Sequence, residues 1–237
     1  MNNKSYLNSL SDDITKLDVT NRGLTSLDVR RFTNLKELYC HHNHLTCLHL
    51  NENLEYLYCS NNKLTCLHLP ETLQRLHCFQ NQLTSLHLNK KLQILSCNDN
   101  CLSSLHLNEN LMELYCDNNQ LTSLHLNEEL DTLYCYGNQL TSLYLNKKLQ
   151  IIYYYYNPIY EIINGDIEYN DIAKIKQKTQ ILNNFRYLYY CLKFKKRFRD
   201  LLWVKIREPK IRKKYSHSYL LEHLHEDTDL DELLKNW

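Results

Sequence analysis

Glycine is nearly absent. The 237 residues contain three, Gly23, Gly137 and Gly165, where average usage near 7% would supply about 17. They stand too far apart to build a glycine-rich phosphate loop. No apolar run approaches the ~18 residues of a membrane-spanning helix. Met1–Ser11 is polar and has no apolar h-region, so no signal peptide is expected and the chain reads as intracellular rather than secreted. Charge of one sign is also missing: 28 Lys and Arg face 27 Asp and Glu, a formal net of +1. Hydrophobic residues at 43% and charged ones at 23% exclude a wholly disordered chain. A chain of this length is one or two domains with a real core. Against these absences stand ten cysteines, 19 tyrosines and 12 histidines.

Internal repetition organises most of them. Cys40, Cys59, Cys78, Cys97, Cys116 and Cys135 recur every 19 residues, and Asn43, Asn62, Asn81, Asn100, Asn119, Asn138 and Asn157 keep the same step. The leucine column from Leu35 to Leu149 does so too. The unit reads L-x-x-L-x-C-x-x-N-x-L-T-x-L-x-L-N, as in Leu111–Asn127. An earlier rung, two residues longer, runs from Ile14 to Val29 and bulges at Arg30–Asn34. In the last rung Tyr154 replaces Cys, and Ile152, Ile159 and Ile162 replace Leu.

One such unit cannot bury its own leucines, but stacked units can, which gives a quasi-one-dimensional solenoid. The L-x-C segment predicts a short strand pairing in parallel with its neighbours, about 4.8 Å apart. The L-T-x-L-x-L segment predicts an opposite wall, also extended, since 19 residues leave no room for a convex helix. Over roughly residues 14–163 the sequence resembles the leucine-rich repeat family, whose L-x-x-L-x-L-x-x-N/C-x-L segment it matches. The short unit and the Cys in its third apolar slot are similar to bacterial surface and effector repeats with a cysteine ladder. The resemblance implies a β-rich leucine-rich-repeat solenoid and a non-enzymatic role in protein–protein interaction.

Each column carries an expectation. The Asn ladder should rescue backbone groups that lose partners where the strand turns, and should tolerate left-handed backbone in place of glycine. The Cys ladder should point inward as small buried hydrophobes, reduced rather than disulfide-bonded, and collinear thiols do not make a tetrahedral metal site. Cys47, Cys66 and Cys101 read as incidental. His49, His68, His87, His106 and His125, followed by Tyr144, should point outward. Charging that column would bring like charges together and lower stability below about pH 6. No cofactor or metal is expected.

A partner would sit on the concave wall, where the residues between the leucines are free to vary. Its central column reads Tyr39, Tyr58, His77, Ser96, Tyr115, Tyr134, Tyr153. The column before reads Glu37, Tyr56, Arg75, Ile94, Glu113, Thr132, Ile151, and the column after reads His41, Ser60, Phe79, Asn98, Asp117, Tyr136, Tyr155. Candidate partner-binding residues are therefore Tyr39, Tyr56, Tyr58, Arg75, His77, Phe79, Tyr115, Tyr134, Tyr136, Tyr153 and Tyr155, because tyrosine joins apolar area to a hydroxyl. Strand preference and stacking between rungs would also favour tyrosine there.

Three segments follow: an N-terminal cap at 1–13, repeats at 14–163 and a helical C-terminal cap or domain at 164–237. The repeats carry 12 basic and 16 acidic residues, and the remainder 16 and 11. Asp171 is expected to cap a helix, a second amphipathic stretch runs from Phe185 to Leu202, and Asp229 should cap a final short one. Lys193, Lys195, Lys196, Arg197 and Arg199 cluster on a face read as solvated rather than bound to nucleic acid or membrane. The stretch from Leu202 through Glu208-Pro209 and Lys214-Tyr215-Ser216-His217 to Asn236-Trp237 resembles a tail on repeat proteins of giant amoeba-infecting viruses. That resemblance implies a viral protein acting in host cytoplasm or virion, with a host protein as partner. The leading expectation is a protein–protein interaction module. An adaptor or effector whose basic tail recruits a second partner, as in ubiquitin-ligase effectors of bacteria, and a structural virion component are the alternatives.

Overall fold

The computed structural model describes residues 7, 9–163 and 171–202. The chain forms two compact units, Met1–Asn183 and Asn184–Trp237. The expected final helix near Asp229, the basic residues Arg212–Lys214 and nearly all of the segment with viral resemblance lie outside the described residues.

Each leucine-flanked triplet becomes a three-residue strand. The inner wall is one parallel sheet of eight: β1 (Lys16–Asp18), β3 (Glu37–Tyr39), β5 (Tyr56–Tyr58), β6 (Arg75–His77), β7 (Ile94–Ser96), β8 (Glu113–Tyr115), β10 (Thr132–Tyr134) and β12 (Ile151–Tyr153). Register is strict, so Leu57 faces Leu76 and Leu76 faces Leu95. The parallel β-solenoid is as the repeat predicts. The outer wall is only partly so. It pairs as strands at its two ends, β2 (Ser26–Asp28) with β4 (Cys47–His49) and β9 (Ser123–His125) with β11 (Ser142–Tyr144). Between them the outer segments form no strand.

Alternation sends one side chain per triplet inward. Leu38, Leu57, Leu76, Leu95, Leu114 and Leu133 are fully buried, as are all six ladder cysteines. Burial pushes the Cys59 thiol up to about 12 and raises those of Cys78, Cys97 and Cys116, so these groups stay neutral small hydrophobes. Every described cysteine is free.

The Asn ladder does the work expected of it. Asn62 Nδ2 donates to Cys40 O and Cys59 O, both at 3.0 Å, and its Oδ1 accepts the Leu45 N–H at 2.9 Å. One carboxamide thus joins two turns and satisfies three buried backbone groups. The left-handed role falls one position earlier than expected. Positive φ occurs at His42, Asn61, Gln80, Asp99, Asn118, Gly137 and Tyr156, each preceding a ladder Asn. The turn demands this conformation, and residues such as Gln80 and Tyr156 bear its steric cost. At Gly137 a side chain would also meet Asn118, whose Oδ1 lies 2.3 Å from where a Cβ would stand.

The end of the repeats also departs from the simple pattern. Ile159 and Ile162 do not continue the outer wall: Pro158–Ile163 is helical (α1). Proline at the first helical position has its φ preset and lacks only an N–H that has no intrahelical partner. Ile159 is buried while Ile162 is exposed. Asp171 caps the next helix as expected, its Oδ1 accepting the Lys174 N–H at 3.1 Å. That helix, α2, is continuous from Ile172 to Leu202 rather than two separate stretches. Its first turns pack on the final rungs: Ile175 is buried, Lys176 Nζ donates to Lys147 O and Leu149 O at 2.8 Å, and Asn183 Nδ2 donates to Leu143 O at 2.9 Å.

Candidate partner-binding face

Parallel register turns the central concave column into stacked rings. Tyr39 and Tyr58 lie with centroids 4.5 Å apart and planes 4° from parallel, and Tyr58 stacks on His77 at 4.9 Å. Tyr115 stacks on Tyr134 at 5.0 Å, and Tyr134 on Tyr153 at 4.5 Å. These spacings are the strand repeat itself. Ser96 lies between the two stacks, in register with His77 on one side and Tyr115 on the other. Each stack therefore has three rings.

The sequence-based zones are redrawn accordingly. His77 joins Tyr39 and Tyr58, and Tyr115 joins Tyr134 and Tyr153. Tyr155 flanks the second stack, with its centroid 6.2 Å from that of Tyr153 and 5.1 Å from that of Tyr160. Tyr56, Arg75 and Phe79 are half-buried on the same wall, and Tyr136 is exposed. The expectation that every non-leucine position faces solvent fails at Ser60, Ser96 and Asp117, all buried. A short side chain flanked by larger neighbours is shielded from water.

Polar groups anchor the stacks. Tyr39 Oη donates to Glu37 Oε2 at 3.2 Å, and Tyr115 Oη donates to Glu113 Oε2 at 3.1 Å. Lys16 pairs with Glu37 at 3.3 Å and lies 4.7 Å from the Tyr39 ring centroid. Burial and the Glu113 contact push the Tyr115 phenol up to about 12. Burial, with Arg75 nearby, lowers the His77 imidazole. Asp117 is the outlier: burial raises its carboxyl to about 6, although its Oδ1 accepts the Tyr136 N–H at 3.0 Å.

Elsewhere the outward columns behave as expected. His49, His68, His87, His106 and His125 are exposed, and His125 stacks on Tyr144 at 4.2 Å. Sequence reading missed a second asparagine column, at the far corner of the turn. There Asn89 Nδ2 donates to Leu73 O at 3.0 Å and its Oδ1 accepts the Leu92 N–H at 2.8 Å. The repeat ends in Asn each time except at Pro70, and that periodicity was the available signal. No helix among the described residues is long and apolar enough to cross a membrane.

No protein-family model matches the sequence. A search of curated proteins finds no match either. Solved structures do match. A leucine-rich repeat protein of Leptospira interrogans superposes with a TM-score of 0.56 and 25% identity, over 62% of this chain and 44% of that one. YopM from Yersinia pestis, described as a leucine-rich effector protein, gives 0.51 and 28%, over 60% of this chain and 49% of its own. YopM from Yersinia enterocolitica gives 0.53 and 27%, over 64% and 39%. The chain thus spans less than half the length of these proteins. Its fold is the parallel-strand β-solenoid of leucine-rich repeat proteins.

Proposed function

We propose that this solenoid is a non-enzymatic interaction module that binds a partner protein across its concave wall. One observation carries the reading: six rings, three on each side of Ser96, form two rigid stacks on that wall. Rings already held by their neighbours lose little rotamer freedom on binding, and half-buried tyrosines are favourable interface anchors. The fold shared with proteins that include a leucine-rich effector supports the same reading. Replacing Tyr134, Tyr136 and Tyr153 by Ser tests it. Capture of a defined protein by the wild type should be lost in the triple variant while its far-UV circular dichroism and melting midpoint hold. Parallel loss of folding and capture would identify the rings as packing residues.

A second reading adds an adaptor role for the helical segment. Phe194 and Tyr189 are exposed on α2, and Lys193 Nζ lies 5.6 Å from the Tyr189 ring centroid. Such an aromatic and basic surface suits a second protein partner. Capture of a protein that survives the concave triple variant and is lost in a chain ending at residue 190 would support it. A virion or host-cell site of action is decided by probing purified virus particles for the chain.

A further inference from the structure

Two outward columns of the outer wall coincide in a way the interaction role does not use. One reads Ser26, Cys47, Cys66, then serine in every later turn; the other, two residues on, reads Asp28, His49, His68, then further histidines. Only two adjacent turns combine a thiol with an imidazole: Cys47-Leu48-His49 and Cys66-Leu67-His68. The middle leucine of each triplet turns toward the core, so its neighbours stand together on the outer side. All four are exposed, and both thiols are free.

In β4 the two donors already converge, with Cys47 Sγ 3.2 Å from His49 Nε2. Zinc bonds of about 2.3 Å to sulfur and about 2.0 Å to nitrogen, at a tetrahedral angle, span roughly 3.5 Å between the two ligand atoms. A shift of a few tenths of an ångström therefore admits one ion. The next turn is tied alongside, because Lys63 N–H donates to Leu45 O at 2.9 Å where the outer wall begins. His49 and His68 line one cleft of about 540 Å³. That cleft is also lined by Asn51, which is 3% exposed and whose Oδ1 has no hydrogen-bond partner. The equivalent oxygen of Asn89 accepts from Leu92 N–H. Nearby Asp28 is already engaged by Arg30 at 2.6 Å, so it is not counted as a ligand. Among the described residues no three such donors converge on one point. Cys66 and His68 must therefore rotate onto the ion, and their exposure leaves room for that change.

We propose that Cys47, His49, Cys66 and His68 form a site for a borderline-soft divalent cation of the zinc class, closing over the ion as it binds. The cation displaces two thiol protons to solvent, gains two thiolate and two imidazole ligands, and clamps the two turns together.

Cobalt(II) titration of the reduced full chain tests this directly. One equivalent should give the visible absorption of tetrahedral cobalt and a near-ultraviolet thiolate-to-cobalt band, and zinc should abolish both. The C47S/C66S variant should lose the thiolate band entirely, and H49A/H68A should lose the tetrahedral spectrum. H87A/H106A, altered in the same column but beside serines, should keep both. No thiolate band in the wild type, a band that survives C47S/C66S, or a spectrum that needs His87 and His106 would overturn the proposal. All these side chains are exposed, and an unchanged melting midpoint without metal confirms that each variant folds.

Discussion

Replacing Asn81 by Ala removes one rung of the inner asparagine ladder at the middle of the solenoid. Its Oδ1 accepts the Leu64 N–H at 3.0 Å, and its Nδ2 donates to Cys59 O and Cys78 O, both at 3.1 Å. The two carbonyls each retain another asparagine, since Asn62 donates to Cys59 O at 3.0 Å and Asn100 to Cys78 O at 3.1 Å. Losing those bonds costs about 1 kcal/mol each. The Leu64 N–H has no replacement acceptor and lies at a fully buried residue, which adds about 1–3 kcal/mol. The sum is about 3–5 kcal/mol, a large share of a typical domain's stability. Asn81→Asp discriminates further. It keeps the acceptor but aims a carboxylate oxygen at two carbonyl oxygens, so it should be less stable than Asn81→Ala at neutral pH and should recover partly in acid. Urea unfolding followed by circular dichroism, with the slope m unchanged, reads both effects. A loss under about 1 kcal/mol for Asn81→Ala, or a neutral-pH Asp variant as stable as the wild type, would show that the ladder is not what satisfies the turns.

Three further outcomes are expected. Asp117 has its carboxyl raised to about 6 from 3.8, so the native state binds the proton more tightly and stability falls as pH rises through that window. Asp117→Asn should then be more stable than the wild type by about 1–3 kcal/mol at pH 7.5, with the gain gone near pH 4; comparing the two proteins at each pH cancels the contribution of the histidine column. Gly137→Ala should cost more than Gly23→Ala in urea unfolding, because both have positive φ but only the first meets a neighbour, Asn118; equal losses would leave only the shared backbone term of about 1–2 kcal/mol. A thiol reagent on the folded protein should label Cys47, Cys66 and Cys101 rapidly and the six ladder cysteines only on unfolding, since buried thiols raised far above their usual range give little thiolate.

The fold was legible because a 19-residue period fixes which side chains share a column, and strand alternation then fixes inside and outside. Leu38, Cys40 and Asn43 needed nothing more. What the period could not show is how each turn solves its own backbone problem. The residue before the ladder Asn takes the left-handed conformation whatever its identity, so His42 and Gln80 gave no local signal. Pro158 redirected the last rung into a helix because a proline's fixed φ outweighs a weak repeat. On the concave wall the columns were readable, and the grouping was not. Tyr39, Tyr58 and His77 become one stack through register, a long-range property, and Asp117 is buried by larger neighbours on adjacent turns.

The partner-binding claim is tested most directly by comparing two exposed-side tyrosine losses against a captured partner. Tyr134 sits in the second concave stack, whereas Tyr144 stacks on His125 on the outer wall and is 41% exposed. Tyr134→Ser should weaken binding by at least ~10-fold, the effect of losing an interface anchor of more than about 1 kcal/mol, while Tyr144→Ser leaves the affinity within about twofold. Equal weakening by both, or a larger effect from Tyr144→Ser, would contradict binding through the concave face.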